Sequence, residues 1–191
     1  MGAIIQICGT NGTGKTTLVK NILNAGNFYR FFVEIKGCKK EIWRDANSVI
    51  IGKYSSANCC GVDGSDFTSE QMFDAINEII GRYSPEVLLF EDVRYGSLYS
   101  FKRKLFDLCS EYGYEYKAIV LFAEPTTIAK RVINRSGNPN VDFYRMLSKQ
   151  RQCIRSANKL AAEGVHVVFV DTDKQDKNGV FNVVNGAING L

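Results

Sequence analysis

A chain of 191 residues has the size of one domain with a full core. Its composition, 45% apolar and 23% charged, excludes a mainly disordered chain. The net charge of +4 is too small for a dedicated nucleic-acid binder, yet it is segregated. Lys130 to Lys159 holds eight basic residues against the single acid Asp142, a local +7 that leaves −3 for the rest.

In chain order, strand-like and helix-like segments alternate, the pattern of an α/β fold with a parallel sheet. Ala3–Cys8 predicts a buried strand and Lys15–Ala25 a helix that Gly26 stops. Tyr29–Ile35 and Val49–Tyr54 read as strands, the second followed by a Ser/Asn/Cys/Gly loop to Ser65. Thr68-Ser69-Glu70-Gln71 is a capping box for a helix to Arg82, whose Met72, Ala75, Ile76, Ile79 and Ile80 share one face. Val87–Phe90 is a buried strand, Leu98–Tyr112 a helix and Tyr116–Ala123 a strand. Pro125-Thr126 starts a helix that ends at the Ser136–Asn140 loop. A long helix then runs from about Val141 to Glu163, with Gly164 as its stop, Val165–Asp171 as the last strand and Gly179–Leu191 as a closing amphipathic segment. The expected sheet has about five parallel strands.

No apolar run approaches about 18 residues, and the opening residues lack the charged start of an export signal, so a cytoplasmic protein without membrane contact is expected. The six cysteines are dispersed without a C-x-x-C pair and read as free thiols. Cys59-Cys60 is a weak candidate for a metal or redox pair, because His166 is the single histidine and a structural role is its default.

Gly9-Thr10-Asn11-Gly12-Thr13-Gly14-Lys15-Thr16 matches G-x-x-x-x-G-K-[ST] between a strand and a helix. In that context the backbone N–H groups and the positive helix end face phosphates. Lys15 would reach the β and γ phosphates and Thr16 would give its hydroxyl to Mg²⁺, with Thr17 next to them. Asp173-Lys174-Gln175-Asp176 lacks the Asn or Thr of a guanine-reading motif and reads as a solvated turn.

Phe90-Glu91-Asp92 ends a buried strand where a carboxylate can hold Mg²⁺ or its water shell. Strand alternation sends Glu91 and Asp92 to opposite faces and leaves open which one meets the metal; Glu91 is favoured. In Cys60-Gly61-Val62-Asp63-Gly64, glycines beside an acid permit close approach, and Asp63 is placed to accept or orient an acceptor proton, with Glu34 as a weaker alternative. Arg131 and Arg135 lie four apart on one helix face and are candidates to neutralise a transferred phosphoryl group, with Arg151 a weaker one.

The P-loop, the Pro125-Thr126…Arg131…Arg135 unit and the basic helix together resemble P-loop kinases of the nucleoside-monophosphate-kinase type, over most of the chain. The resemblance implies a single three-layer αβα kinase domain over residues 1–191, a short helical lid at about 126–155, and ATP with Mg²⁺ as cofactors. Gly52-Lys53-Tyr54, Gly61-Val62-Asp63, Phe90-Glu91 and Arg151…Leu160-Ala161-Ala162-Glu163-Gly164 look more closely like small phage kinases that phosphorylate 5-hydroxymethyluracil in DNA. Cys60 and Asp92 depart from that pattern, and the Asp-Arg strand end of thymidylate kinases is absent. The resemblance implies DNA as partner and, for a phage protein, the bacterial cytoplasm as location. A deoxynucleoside monophosphate or nucleoside kinase acting on free nucleotide, and a nucleotide-gated DNA-binding ATPase, remain alternatives; the oligomeric state is open.

Overall fold

The computed structural model describes residues 2–55, 61–63 and 68–189. Strands β1 (Ala3–Cys8), β2 (Tyr29–Ile35), β3 (Cys38–Arg44), β4 (Ser48–Ile51), β5 (Val87–Asp92), β6 (Glu115–Phe122) and β7 (His166–Asp171) form one sheet in the order β2-β3-β4-β5-β1-β6-β7. β4, β5, β1, β6 and β7 are mutually parallel, so the five expected parallel strands are present. β2 and β3 add an antiparallel hairpin at one edge, and β3 is a strand that the sequence reading lacked. Lys36 and Gly37 at its tip have φ of 48° and 75°, the left-handed pair of a tight two-residue hairpin turn.

Helices α1 (Lys15–Ala25), α2 (Ser69–Tyr83), α3 (Tyr99–Tyr112), α4 (Pro125–Ser136), α5 (Phe143–Ala162) and α6 (Lys177–Asn189) complete three layers. Side-chain alternation in β1 sorts them. Ala3, Ile5 and Ile7 pack with Leu18 and Val19 of α1 and Val180 and Val184 of α6. Ile4 packs with Met72, Ile76 and Ile79 of α2 and Leu105 of α3, while Cys8 meets Cys153 and Ala157 of α5.

Local signals account for the boundaries. Thr68 and Gln71 close the expected capping box, which stabilises the start of α2 by about 1 kcal/mol. The Gly26 N–H reaches the Ile22 carbonyl at 3.1 Å and ends α1. β4 stops at Ile51, earlier than Tyr54, where Gly52 turns at φ 141°. Val141 and Asp142 precede α5, and Asp142 caps it by accepting from the Arg145 N–H at 2.9 Å. Cys8, Cys38, Cys109 and Cys153 are free thiols; Cys59 and Cys60 lie outside the described residues. Among the described residues no helix is long and apolar enough to cross a membrane.

Candidate active site

The loops after β1, β4, β5 and β7 meet at the carboxyl ends of the parallel strands, the edge where open α/β sheets bind ligands. β1 and β5 end level with each other, Ile7 beside Glu91 and Cys8 beside Asp92. The P-loop leaves directly from that edge. Gly9, Gly12 and Gly14 take φ of 152°, 85° and 93°, which curls the loop. Thr13 braces it by donating its hydroxyl to the Thr10 carbonyl at 2.9 Å. Lys15 is nearly buried and reaches back across the loop to the same carbonyl at 3.1 Å. Asn11, Gly14 and Thr17 are exposed.

The Thr16 hydroxyl donates to Glu91 Oε1 at 2.6 Å, across 75 residues of sequence. Alternation places Glu91 on the α1 side, with Leu89, and Asp92 on the α3 side, with Phe90. Burial pushes the Glu91 carboxyl up, against the opposing pull of Lys15 and the Thr16 hydroxyl. A hydroxyl and a carboxylate side by side are hard oxygen donors of the kind Mg²⁺ takes from protein when nucleotide phosphates complete its shell. Among the described residues no cluster of three or more His, Cys, Asp or Glu could hold a metal ion.

Residues 61–63 lie over the end of β5. The Val62 N–H donates to the Glu91 carbonyl at 3.2 Å, and Gly61 O accepts from the Lys53 N–H at 3.1 Å. Gly61 sits at φ 56°, and a Cβ there would stand 2.6 Å from Glu91 Cγ, so both backbone and space require glycine. Cys60 and Gly64 lie outside the described residues. Asp63 is exposed, and its two oxygens accept from the Val93 N–H at 2.7 Å and the Arg94 N–H at 3.3 Å. Each oxygen retains acceptor capacity for a further partner. The loop's upstream end is tied by a residue the sequence reading missed. Glu41 of β3 accepts from the Tyr54 N–H at 2.8 Å, the Ser55 hydroxyl at 2.6 Å and the Trp43 indole at 3.0 Å. Burial pushes the Glu41 carboxyl up, but these bonds outweigh it and leave the group below the usual carboxylate range.

Asp92 belongs to a different network. It accepts from the Gln6 amide at 2.8 Å and from the Gly96 N–H, and burial pushes it up to about 7. The fully buried Lys102 ammonium lies near it, 3.3 Å from the Cys8 sulfur.

Arg131 and Arg135 share α4 but not surroundings. Arg131 donates to Thr172 Oγ1 and Thr172 O, each at 2.9 Å, to Gly12 O at 3.4 Å, and pairs with Asp173 at 3.4 Å. It clasps the P-loop to the turn after β7. Arg135 is exposed, and among the described residues no carboxylate lies within ion-pair distance of Arg135, Arg145, Arg151 or Arg155. Lys149 turns inward to the Ser97 hydroxyl at 3.4 Å, and that hydroxyl in turn donates to the Arg94 carbonyl at 2.9 Å. Glu34 stands on β2, four strands away from β1, and is not brought to the P-loop.

No protein-family model matches the chain, and no curated protein does. Solved structures are similar to it. The YorR protein of Bacillus subtilis, in complex with phosphorylated GDP, aligns at a TM-score of 0.61 and 16% identity over 97% of this chain and 95% of that one. A structure from the PezAT chromosomal toxin–antitoxin system of Streptococcus pneumoniae aligns at 0.55 and 16%, over 100% and 80% of the two chains. Deoxyadenosine kinase from M. mycoides, with bound dCTP, aligns at 0.52 and 10%, over 98% and 100%. These likenesses show the fold, a three-layer α/β architecture of the nucleoside-monophosphate-kinase-like P-loop type.

Proposed function

We propose that this chain is an ATP-dependent phosphotransferase with a hydroxyl acceptor. The observation that carries the reading is the Thr16–Glu91 bond on the floor of the P-loop, with Asp63 held beside it through Val93. Lys15 and the P-loop amides of residues 9–17 hold the triphosphate. Thr16 and Glu91 would hold Mg²⁺, which when bound offsets charge on the phosphates. Asp63 orients the acceptor hydroxyl and takes its proton as the oxygen–phosphorus bond forms and the bond to the departing ADP oxygen breaks. Arg135, whose guanidinium has no carboxylate partner among the described residues, neutralises the phosphoryl group in transit, while Arg131 keeps the P-loop in place. α4 and α5 as far as about residue 155 serve as a lid, the region of about 126–155.

For the acceptor we propose the hydroxymethyl group of 5-hydroxymethyluracil in DNA. The Gly-x-Asp loop supports it, as do Arg145, Arg151 and Arg155 of α5, which have no carboxylate partner among the described residues and suit backbone phosphates. A second reading, a free nucleoside or nucleotide as acceptor, is favoured by the nucleotides bound to the YorR and deoxyadenosine kinase structures. Labelled ATP offered with 5-hydroxymethyluracil DNA, with nucleosides and with mononucleotides decides between them, Lys15→Ala serving as control. Label on DNA supports the first reading and label on free nucleotide alone the second. Hydrolysis independent of any acceptor overturns both in favour of a nucleotide-gated ATPase.

A further inference from the structure

β2 is the outermost strand of the sheet, and among the described residues no strand pairs with its outer edge. It is seven residues long, Tyr-Arg-Phe-Phe-Val-Glu-Ile, without proline. Its large side chains are open to solvent, with Tyr29 68% exposed, Phe31 46% and Phe32 56%. Edge strands are normally blunted by short length, a bulge, a proline or charged side chains, lysine above all. Here the two charges, Arg30 and Glu34, have opposite signs and flank Phe32 symmetrically.

We propose that β2 pairs antiparallel with β2 of a second copy of this chain, about a twofold axis through Phe32, so that two seven-stranded sheets become one. An axis normal to the sheet keeps the α1 layer of both copies on the same side, so only residues from the same face can stand opposite each other. With Phe32 on the axis, that face carries Arg30 opposite Glu34 of the second copy, Phe32 opposite its own equivalent, and Glu34 opposite Arg30. The α2 face carries Tyr29 opposite Ile35 and Phe31 opposite Val33. Val33 and Ile35 are already buried against α2, so what the pairing covers on that face is the exposed Tyr29 and Phe31 rings of both copies. Arg30 is already drawn over the Phe32 ring, 5.6 Å from its centre, which sets the cation and the ring on the shared face.

Charge selects this register over its neighbours. An axis at Phe31 puts Arg30 opposite Phe32 and leaves both charges unmatched. An axis at Val33 puts Arg30 opposite Lys36, cation against cation. Only the Phe32 axis pairs both charges with opposites, and cross-strand pairs of this kind are what specify sheet pairing. The surface is isologous, as a closed dimer requires. A single-stranded nucleic acid or an unrelated extended peptide would engage the aromatics but has no use for Glu34 in alternation with Arg30.

Sedimentation equilibrium over a dilution series, with hydrogen exchange on the same samples, tests this. The expected result is a monomer–dimer equilibrium in which the amides of residues 29–35 gain protection as dimer forms. Arg30→Glu or Glu34→Arg alone sets like charges opposite each other twice across the axis and weakens the dimer about tenfold or more. The double exchange, Arg30→Glu with Glu34→Arg, restores it, and unchanged melting of the dilute single variants excludes misfolding as the cause. A chain that stays monomeric at every concentration overturns the proposal. So does a dimer indifferent to the reversals, or protection of residues 29–35 that arises only on adding an oligonucleotide.

Discussion

The Thr16 hydroxyl and the Glu91 carboxylate, 2.6 Å apart, join the first turn of the P-loop helix to the end of the central β5 strand. Replacing Glu91 with Gln keeps the shape and removes the charge. Nucleotide affinity measured with Mg²⁺ is expected to fall toward the value measured without it, and phosphoryl transfer to fall by about 10²-fold or more. Thr16→Ser retains the hydroxyl and most of the rate, whereas Thr16→Val does not.

Asp63→Asn distinguishes the two acceptor classes. A hydroxyl must lose a proton, so the variant should cost about 10²- to 10⁴-fold in kcat on such an acceptor. A phosphate acceptor is already nucleophilic, and the same variant should then cost little. Comparing kcat for both acceptor types in one preparation separates this from loss of the Val93 and Arg94 contacts, which both reactions share.

The two arginines of α4 should behave differently. Arg131→Ala removes the clasp between Gly12 and Thr172, so nucleotide affinity and thermal stability should fall together. Arg135→Ala should leave stability unchanged and reduce kcat alone. Isothermal titration and a melting curve on each variant check the split.

Glu41 ties the residue 54–55 backbone to the hairpin. Its carboxyl is held below the usual value of 4.5, so its contribution is fully present above that pH and is lost as pH falls through the lowered value. Glu41→Gln should destabilise the protein by about 2 kcal/mol at neutral pH in urea titrations, with the gap narrowing in acid.

Asp92 acts with the opposite sign. Its carboxyl rises from 3.8 to about 7, so between those values the folded state holds more protons than the unfolded one. Stability from this group therefore falls as pH rises across that window and levels off above it. Denaturation midpoints at pH 5 and pH 8 should show a smaller fall in Asp92→Asn than in the parent.

The residues most legible in the sequence are those whose role is local. The P-loop spans eight consecutive positions, and Thr68 with Gln71 announces the start of α2 within one turn. Alternation along β5 correctly separates Glu91 from Asp92, but which layer each faces depends on where α1 packs, and that is a property of the whole sheet. β3 went unread because Lys39, Lys40 and Glu41 interrupt its apolar pattern. Its turn is Lys36-Gly37 rather than the Asn-Gly that marks such hairpins. With β3 unread, Glu41 had no strand to stand on. Arg131 is visible as a helix-face cation, but its partner Thr172 lies 41 residues away and belongs to no motif.

The Arg131 clasp also bears on the order of events during synthesis. Gly12 and Arg131 leave the ribosome before Thr172 and Asp173, which complete the clasp. A nascent chain that has exposed its P-loop, β4, β5 and α4 still lacks the turn that pins Arg131 against Gly12. On the proposed function, tight nucleotide capture waits until β7 has joined the edge of the sheet, and a growing chain is spared an early ligand that would hold an incomplete fold in place.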